Sequence, residues 1–244
     1  MKSFDPAASF GPEVADVYDD EVRGDEEVAT AFLSELAQGG RALEFAIGTG
    51  RIALPLAQRG IAVDGIELSQ AMVERLRAKP GGAELDVTIG DMSSVVLSSR
   101  YPLVYLVFNT IFNLVTEDDQ IRCFENAARH LAADGVFVVE TAVPHAWISP
   151  DRPDYVRAEH VGMDEVMLDV ARYDPVSQLM EENHVRLTAS GISMTPLVCR
   201  LITPGEMDLM ARIAGLRLVD RFGSWRREPF NVDSRGHVSV YGKR

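Results

Sequence analysis

Residues 42–47 form a short apolar run that stops on Gly48-Thr49-Gly50 and resumes over residues 49–59 with helical spacing. A strand that passes through glycines straight into a helix leaves little choice of fold. It reads as the opening of a βαβ unit, and glycines at that corner let the backbone approach a ligand while the helix N-terminus keeps free N–H groups to bind it. The same beat then repeats. Residues 61–66 read as a strand, Ser69 as the cap of a helix reaching Lys79, and Pro80-Gly81-Gly82 as a break before a strand at 85–89. Residues 103–108 are continuously apolar, as a central parallel strand covered on both faces should be. Thr116 and Asp119 resemble a capping box ahead of a helix that puts Ile121, Phe124, Ala128 and Leu131 on one face, and Asp134-Gly135 turns into a strand at 136–140. Strands alternating with helices of this length predict an α/β fold, Rossmann-like, with a doubly wound and mostly parallel sheet.

The beat changes after residue 149. Residues 150–202 alternate apolar and polar side chains around Tyr173-Asp174-Pro175 and Ser190-Gly191, which predicts antiparallel strands. Thr203-Pro204-Gly205-Glu206 then opens a helix, and residues 216–222 and 238–241 close the chain as two strands, the last antiparallel. The expected organisation is a lid segment at 1–24, a core formed by 25–149 and 203–244, and a β-rich substrate cover at 150–202. The N-terminal stretch is acidic and lacks the apolar centre of a signal peptide, and no window is long and apolar enough to span a membrane, so a cytoplasmic protein is expected. Cys123 and Cys199 lie in apolar segments and read as buried free thiols.

Charge narrows the partners. The chain has 37 acidic and 24 basic side chains, a net charge of −13, and its densest basic spot is only Trp225-Arg226-Arg227. A phosphate backbone is repelled by such a surface, so nucleic acid is not expected as partner. The glycine turn alone leaves two cofactor classes open, because residues 48–53 also satisfy the dinucleotide pattern G-x-G-x-x-A. Three acids at the ends of consecutive strands separate them. Glu67, seventeen residues after Gly50, is placed to bind ribose hydroxyls. Glu44 precedes the glycine turn, where an acid would repel a pyrophosphate but suits a cationic amino-acid cofactor. Asp91 follows Gly90 and can accept from an adenine amine.

These segments resemble the class I S-adenosylmethionine-dependent methyltransferases. ALEFAIGTGR is similar to their first motif, VDGIELSQAM to the second and VTIGDM to the third; VFNTIFNL and FVVETAVP resemble their fourth and fifth strands. The likeness spans roughly 14–145 and 203–242, and VADVYDD resembles a segment that folds over the cofactor. It implies S-adenosylmethionine as cofactor, with Glu67 on the ribose, and Glu44, Ala46, Gly48, Gly50 and Arg51 around the methionine portion. Leu68, Met72, Asp91 and Met92 would surround adenine, and Phe108 and Asn109 would face the methionine amine and the transfer site. Ala46 departs from the pattern by replacing the motif's first glycine. No Asn/Asp-Pro-Pro-aromatic motif follows the fourth strand, which argues against amino-group methylation of nucleic acids, and the insertion resembles the cover of enzymes acting on small metabolites. The expected reaction is methyl transfer to N or O of a small molecule, driven mainly by proximity and desolvation. Tyr18 and His145 are the expected catalytic residues, and Asn113, His184 and Trp225 the expected substrate contacts. No metal is expected, since Asp118-Asp119 fits a helix first turn. Oligomeric state is open, a homodimer among the options. A nicotinamide-dependent oxidoreductase using the same glycines, and a non-catalytic adenosyl-ligand-binding protein, remain as alternative readings.

Overall fold

The computed structural model of the chain describes residues 9–20, 23–148 and 153–244. The first described helix is α1 (Pro12–Val17), followed by α2 (Glu26–Ala37). The βα alternation then runs β1 (Arg41–Phe45), α3 (Ala53–Gln58), β2 (Ala62–Glu67), α4 (Gln70–Arg77), β3 (Asp86–Ile89), β4 (Tyr101–Leu106), α5 (Glu117–His130) and β5 (Leu131–Ala142). Four strands follow, β6 (Asp154–Val161), β7 (Glu165–Asp174), β8 (Leu179–Thr188) and β9 (Gly191–Arg200). The chain closes with α6 (Pro204–Ile213), β10 (Leu216–Phe222) and β11 (Gly236–Lys243).

Seven strands form one sheet in the order β10-β11-β5-β4-β1-β2-β3. β3, β2, β1, β4 and β5 pair in parallel, and β11 is antiparallel to both β5 and β10. The chain winds outward from β1 through β2 and β3, then returns to β4 on the other side. That reversal opens a crevice at the carboxyl ends of β1 and β4, the place where sheets of this kind bind ligands. Strands β6–β9 form a separate antiparallel meander, β6-β7-β8-β9. The doubly wound, mostly parallel sheet with an antiparallel end and an added antiparallel sheet is the architecture the sequence predicts.

Alternation along β1 sorts the two apolar layers. Leu43 and Phe45 join Val104, Leu106, Phe124 and Phe137 beneath α5 and α6, and this layer continues into Ala171, Met180 and Cys199 of the second sheet. Ala42 faces the opposite layer with Leu33, Leu56, Leu103 and Tyr105. The caps read from sequence are present: Ser69 accepts from the Met72 amide, Thr116 from that of Asp119, and Thr203 and Glu206 form a reciprocal capping box. Both cysteines are buried and free.

Several boundaries differ from the sequence reading; β4, for one, ends at Leu106, so Phe108 lies in the turn beyond it and not in the strand. The helix after the glycines starts at Ala53 rather than Thr49, because Ala46, Gly48 and Gly50 all take left-handed backbone conformations and spend seven residues on the corner. β5 starts at Leu131, and Asp134-Gly135 lies in a register irregularity opposite β4 instead of forming a separate turn. The expected boundary near residue 150, and part of the expected lid, lie outside the described residues. Among the described residues no helix is long and apolar enough to cross a membrane.

Candidate active site

The crevice is built from the glycine corner upward. Glu67, the last residue of β2 and 7% exposed, accepts hydrogen bonds from the Gly48 amide through Oε2 and the Ser69 amide through Oε1, each 2.8 Å. Its carboxylate therefore ties the corner after β1 to the cap of α4 and still has lone pairs for a ligand. Burial raises its pKa, against the pull of those amides. The two glycines differ in purpose. A Cβ on Gly48 would meet nothing nearer than the Ala46 carbonyl oxygen at 3.9 Å, so this position borders open space. A Cβ on Gly50 would lie 2.3 Å from Leu76 Cδ1, so its missing side chain makes room for α4, not for a ligand. Glu44 is sealed beneath the corner at 2% exposure, where the Tyr105 hydroxyl donates to it at 2.9 Å, and burial lifts its pKa to about 8. It braces the turn from below instead of lining the crevice, a correction to its expected contact.

The N-terminal segment closes over this corner. Thr49 donates to Asp19 at 2.7 Å, Lys79 pairs with the same carboxylate, and Ser69 donates to the Phe10 carbonyl at 2.6 Å.

At the end of β4 the backbone turns sharply. Phe108 (φ 57°) and Asn109 (φ 63°) are consecutive left-handed residues with side chains, at a cost of roughly 1–2 kcal/mol each. Contacts from β5 hold them. Glu140 accepts from the Phe108 amide at 2.9 Å, and Asn109 Oδ1 accepts from the Ala142 amide at 2.5 Å. Asn109 thus spends its carbonyl oxygen on the fold. The Phe108 ring, 38% exposed, lies under the Arg23 guanidinium at 3.7 Å and near that of Arg51 at 5.3 Å, while Arg23 also stacks on Tyr18 at 4.8 Å. Arg51 is paired with Asp25 at 2.5 Å and Glu26 at 3.3 Å. Even so, Arg51 Nη2 and Arg23 Nε are buried with no hydrogen-bond partner among the described residues. Two orphaned guanidinium donors beside one aromatic ring call for an anionic group.

Other expected residues distribute unevenly. Leu68 is 41% exposed at the end of β2, and Asp91 Oδ1 accepts from the Ser93 amide, leaving its second oxygen available. The Met72 and Met92 side chains are buried, Met92 within the core beside Phe124, so neither lines the crevice. Trp225 is also core. It packs edge-on against Phe32 at 5.4 Å and donates its indole N–H to Glu140 at 2.7 Å, so it contacts no substrate space. Asp119 pairs with Arg122 in the first turn of α5.

His145 is exposed and lines a cavity of about 720 Å³ with Tyr173, Pro204 and Phe230. The glycine corner, Glu67, Asp91 and Phe108 do not border that cavity. Asn113, in the short 3-10 turn after β4, accepts weakly from the Cys199 thiol of β9 at 3.7 Å. His184 lies on the same face of the second sheet as Cys199. Its Nδ1 is 2.7 Å from Asp169 Oδ1, Arg157 donates to the other Asp169 oxygen at 3.1 Å, and Tyr155 donates to Glu182 at 3.1 Å. Asp169, Glu182 and His184 bring ligating atoms within 4.8 Å of one another, although Arg157 already neutralises Asp169. The hydrogen bond to Asp169 raises the His184 pKa, and burial raises that of Glu182.

The methyltransferase domain family matches residues 42–135. The chain is similar to the CcbJ methyltransferase from Streptomyces caelestis, with 34% identity over 99% of this chain and all of that one, and a TM-score of 0.92. The chain belongs to the class I S-adenosylmethionine-dependent methyltransferases. It is also 24% identical to the cypemycin N-terminal methyltransferase of a Streptomyces species, over 83% of this chain and 82% of the relative. A Saccharopolyspora spinosa dTDP-4-amino-2,3,4,6-tetradeoxy-D-glucose N,N-dimethyltransferase is 32% identical over 59% and 58%. S-adenosylmethionine is the cofactor of the family, and the crevice fits it: the orphaned guanidinium donors suit its carboxylate, and the buried Glu67 suits its ribose. The nicotinamide and non-catalytic alternatives receive no support from these likenesses.

Arg23, Glu140, Asp169 and Glu182 went unnoticed in the sequence. Arg23 sits in a polar segment, and Glu140 reads as an ordinary strand residue. Only the alternation of β7 and β8 hinted that Asp169 and His184 could become cross-strand partners.

Proposed function

We propose that the protein methylates the amine nitrogen of a small molecule held between the end of β4 and the inner face of the second sheet. The observation that carries this is the pair of buried acids on that face, Asp169 and Glu182, with His184 between them. They share the face with Cys199, which reaches the turn after β4 through Asn113. Asp169 is paired with Arg157, so Glu182 is the acid left to face a cationic acceptor. The names of two relatives, the cypemycin N-terminal and the amino-sugar N,N-dimethyltransferases, describe methylation at amines. The net charge of −13 supports a small acceptor over a polyanion.

When bound, S-adenosylmethionine supplies an electrophilic methyl on a sulfonium. Glu67 would hold its ribose hydroxyls, Asp91 and Leu68 its adenine, and Arg23 with Arg51 its carboxylate. Tyr18, stacked under Arg23, would line the acceptor side. An aliphatic amine arrives protonated near neutral pH and must lose a proton before its lone pair can react. His184 is the group for this: Nδ1 is committed to Asp169, and Nε2 is left to take the proton. Exclusion of water by the N-terminal segment and the second sheet would supply much of the remaining rate.

Matched acceptors differing only in an amine or hydroxyl at one position test the reading. S-adenosylhomocysteine should form only with the amine, and turnover confined to the hydroxyl compound would overturn it. His184→Ala should lower kcat by about 10²–10⁴-fold without changing S-adenosylhomocysteine affinity. Because the His184 pKa lies above its ordinary value, kcat should rise with pH through that elevated value, and the variant should lose this limb. His145→Ala should change kcat less than tenfold.

A further inference from the structure

Glu140 is the last inward-facing acid of β5, and both its oxygens are committed. Oε2 accepts from the Phe108 amide at 2.9 Å and Oε1 from the Trp225 indole N–H at 2.7 Å, while Arg51 acts on the carboxylate from the crevice side. Its own backbone carbonyl accepts from the Asn109 amide at 3.2 Å. One residue therefore holds both halves of the left-handed pair at the end of β4, by side chain and by main chain.

That pair would not keep its shape unaided. Neither residue is glycine, so relaxation to an ordinary conformation gains energy unless something outside the turn opposes it. Relaxation would also swing the Phe108 ring away from the Arg23 and Arg51 guanidinium groups that flank it, each of which carries a buried donor without a partner among the described residues. A charged acceptor is needed here. Two N–H groups point at one side chain, and an amide in its place would turn its own NH₂ towards one of them.

We infer that Glu140 is a positioning residue for methyl transfer: it clamps the Phe108–Asn109 turn so that Phe108, Arg23 and Arg51 together receive the methionine end of the cofactor. This rests on the placement of that end against Arg23 and Arg51 given above. Trp225 anchors the far oxygen and sits in the core, so loss of its N–H alone should cost stability without opening the turn.

Calorimetric titration with S-adenosylhomocysteine decides the matter, using Glu140→Gln, Trp225→Phe and Arg51→Met in proteins that melt cooperatively. Glu140→Gln should bind at least tenfold more weakly than Trp225→Phe, and its KM for S-adenosylmethionine should rise while that for the acceptor stays within threefold. A smaller difference between the two variants, or equal rises in both KM values, would overturn the assignment. Arg51→Met separates the two levels of the argument. If it weakens binding while Glu140→Gln does not, only the clamp is wrong; if it binds normally, the methionine end lies elsewhere. Should Glu140→Gln fail to fold, Glu140→Asp, which keeps the charge one methylene short of the Phe108 amide, is judged by the same tenfold criterion. Failure of both to fold would make Glu140 a folding residue and also overturn the inference.

Discussion

Replacing Glu67 by alanine separates stability from cofactor recognition, because the structure gives this carboxylate two duties. It accepts from the amides of Gly48 and Ser69 at 2.8 Å each, and its remaining lone pairs face the crevice. A hydrogen bond to a charged group contributes roughly 1.5–3 kcal/mol. The Gly48 position borders open space, so water can reach its stranded amide, and the loss should sit at the lower end of the two-bond sum, about 3–4 kcal/mol in all. For a chain of this size each kcal/mol moves Tm by about 2–4 °C, so the apo variant should melt roughly 6–16 °C lower. Ribose recognition is a further loss: about 1.5–3 kcal/mol, or some 10–150-fold in S-adenosylhomocysteine affinity. Thermal melts of the apo protein read the first effect, and titration calorimetry well below the lowered Tm reads the second. A variant that melts lower yet binds S-adenosylhomocysteine within threefold of wild type would refute the ribose assignment and leave Glu67 as a brace for the corner. A variant with unchanged Tm would refute the bracing argument.

Glu44 carries a pH signature with an unusual sign. Its folded pKa is about 8, above the ordinary carboxyl value, so the unfolded chain ionises first and stability should fall from about pH 4.5 to 8, by up to ~1.4 kcal/mol per unit. Glu44→Gln should flatten that decline in denaturant melts measured across this range; an unchanged slope would mean that Glu44 is ionised in the fold. Ala46 keeps a left-handed backbone (φ 53°) where the family's motif carries glycine. Ala46→Gly should therefore relieve about 1–2 kcal/mol of strain against about 0.5–1 kcal/mol of added chain entropy, a small rise in Tm, and a clear fall would contradict the strain argument.

What the sequence disclosed and what it hid divide along one physical line. Strand lengths, caps and the glycine corner depend on neighbours a few residues away, and Ser69, Thr116 and Thr203 cap the helices they were expected to cap. Glu67 and Asp91 were legible for a related reason: right-handed βα units bring the carboxyl ends of successive strands to one edge, so position along a strand already fixes position in the crevice. Gly50 marks the limit of that logic, because a glycine code does not say whether the space it leaves belongs to a ligand or to Leu76. The residues that sequence reasoning missed or misplaced all depend on contacts between distant segments. Arg23 matters because the N-terminal segment folds back onto Phe108, Trp225 because the β10–β11 connection tucks against α2, and Asp169 because β7 and β8 pair in one register and not its neighbour, which sets it opposite His184. The turn at Phe108–Asn109 did leave one trace. Asparagine is among the few side chains that tolerate a left-handed backbone, since its short amide can bond nearby main chain, here the Ala142 amide. An asparagine just beyond a buried parallel strand therefore marks a strained corner in need of an outside clamp, and the adjacent strand supplies an acid, Glu140, that accepts from that corner.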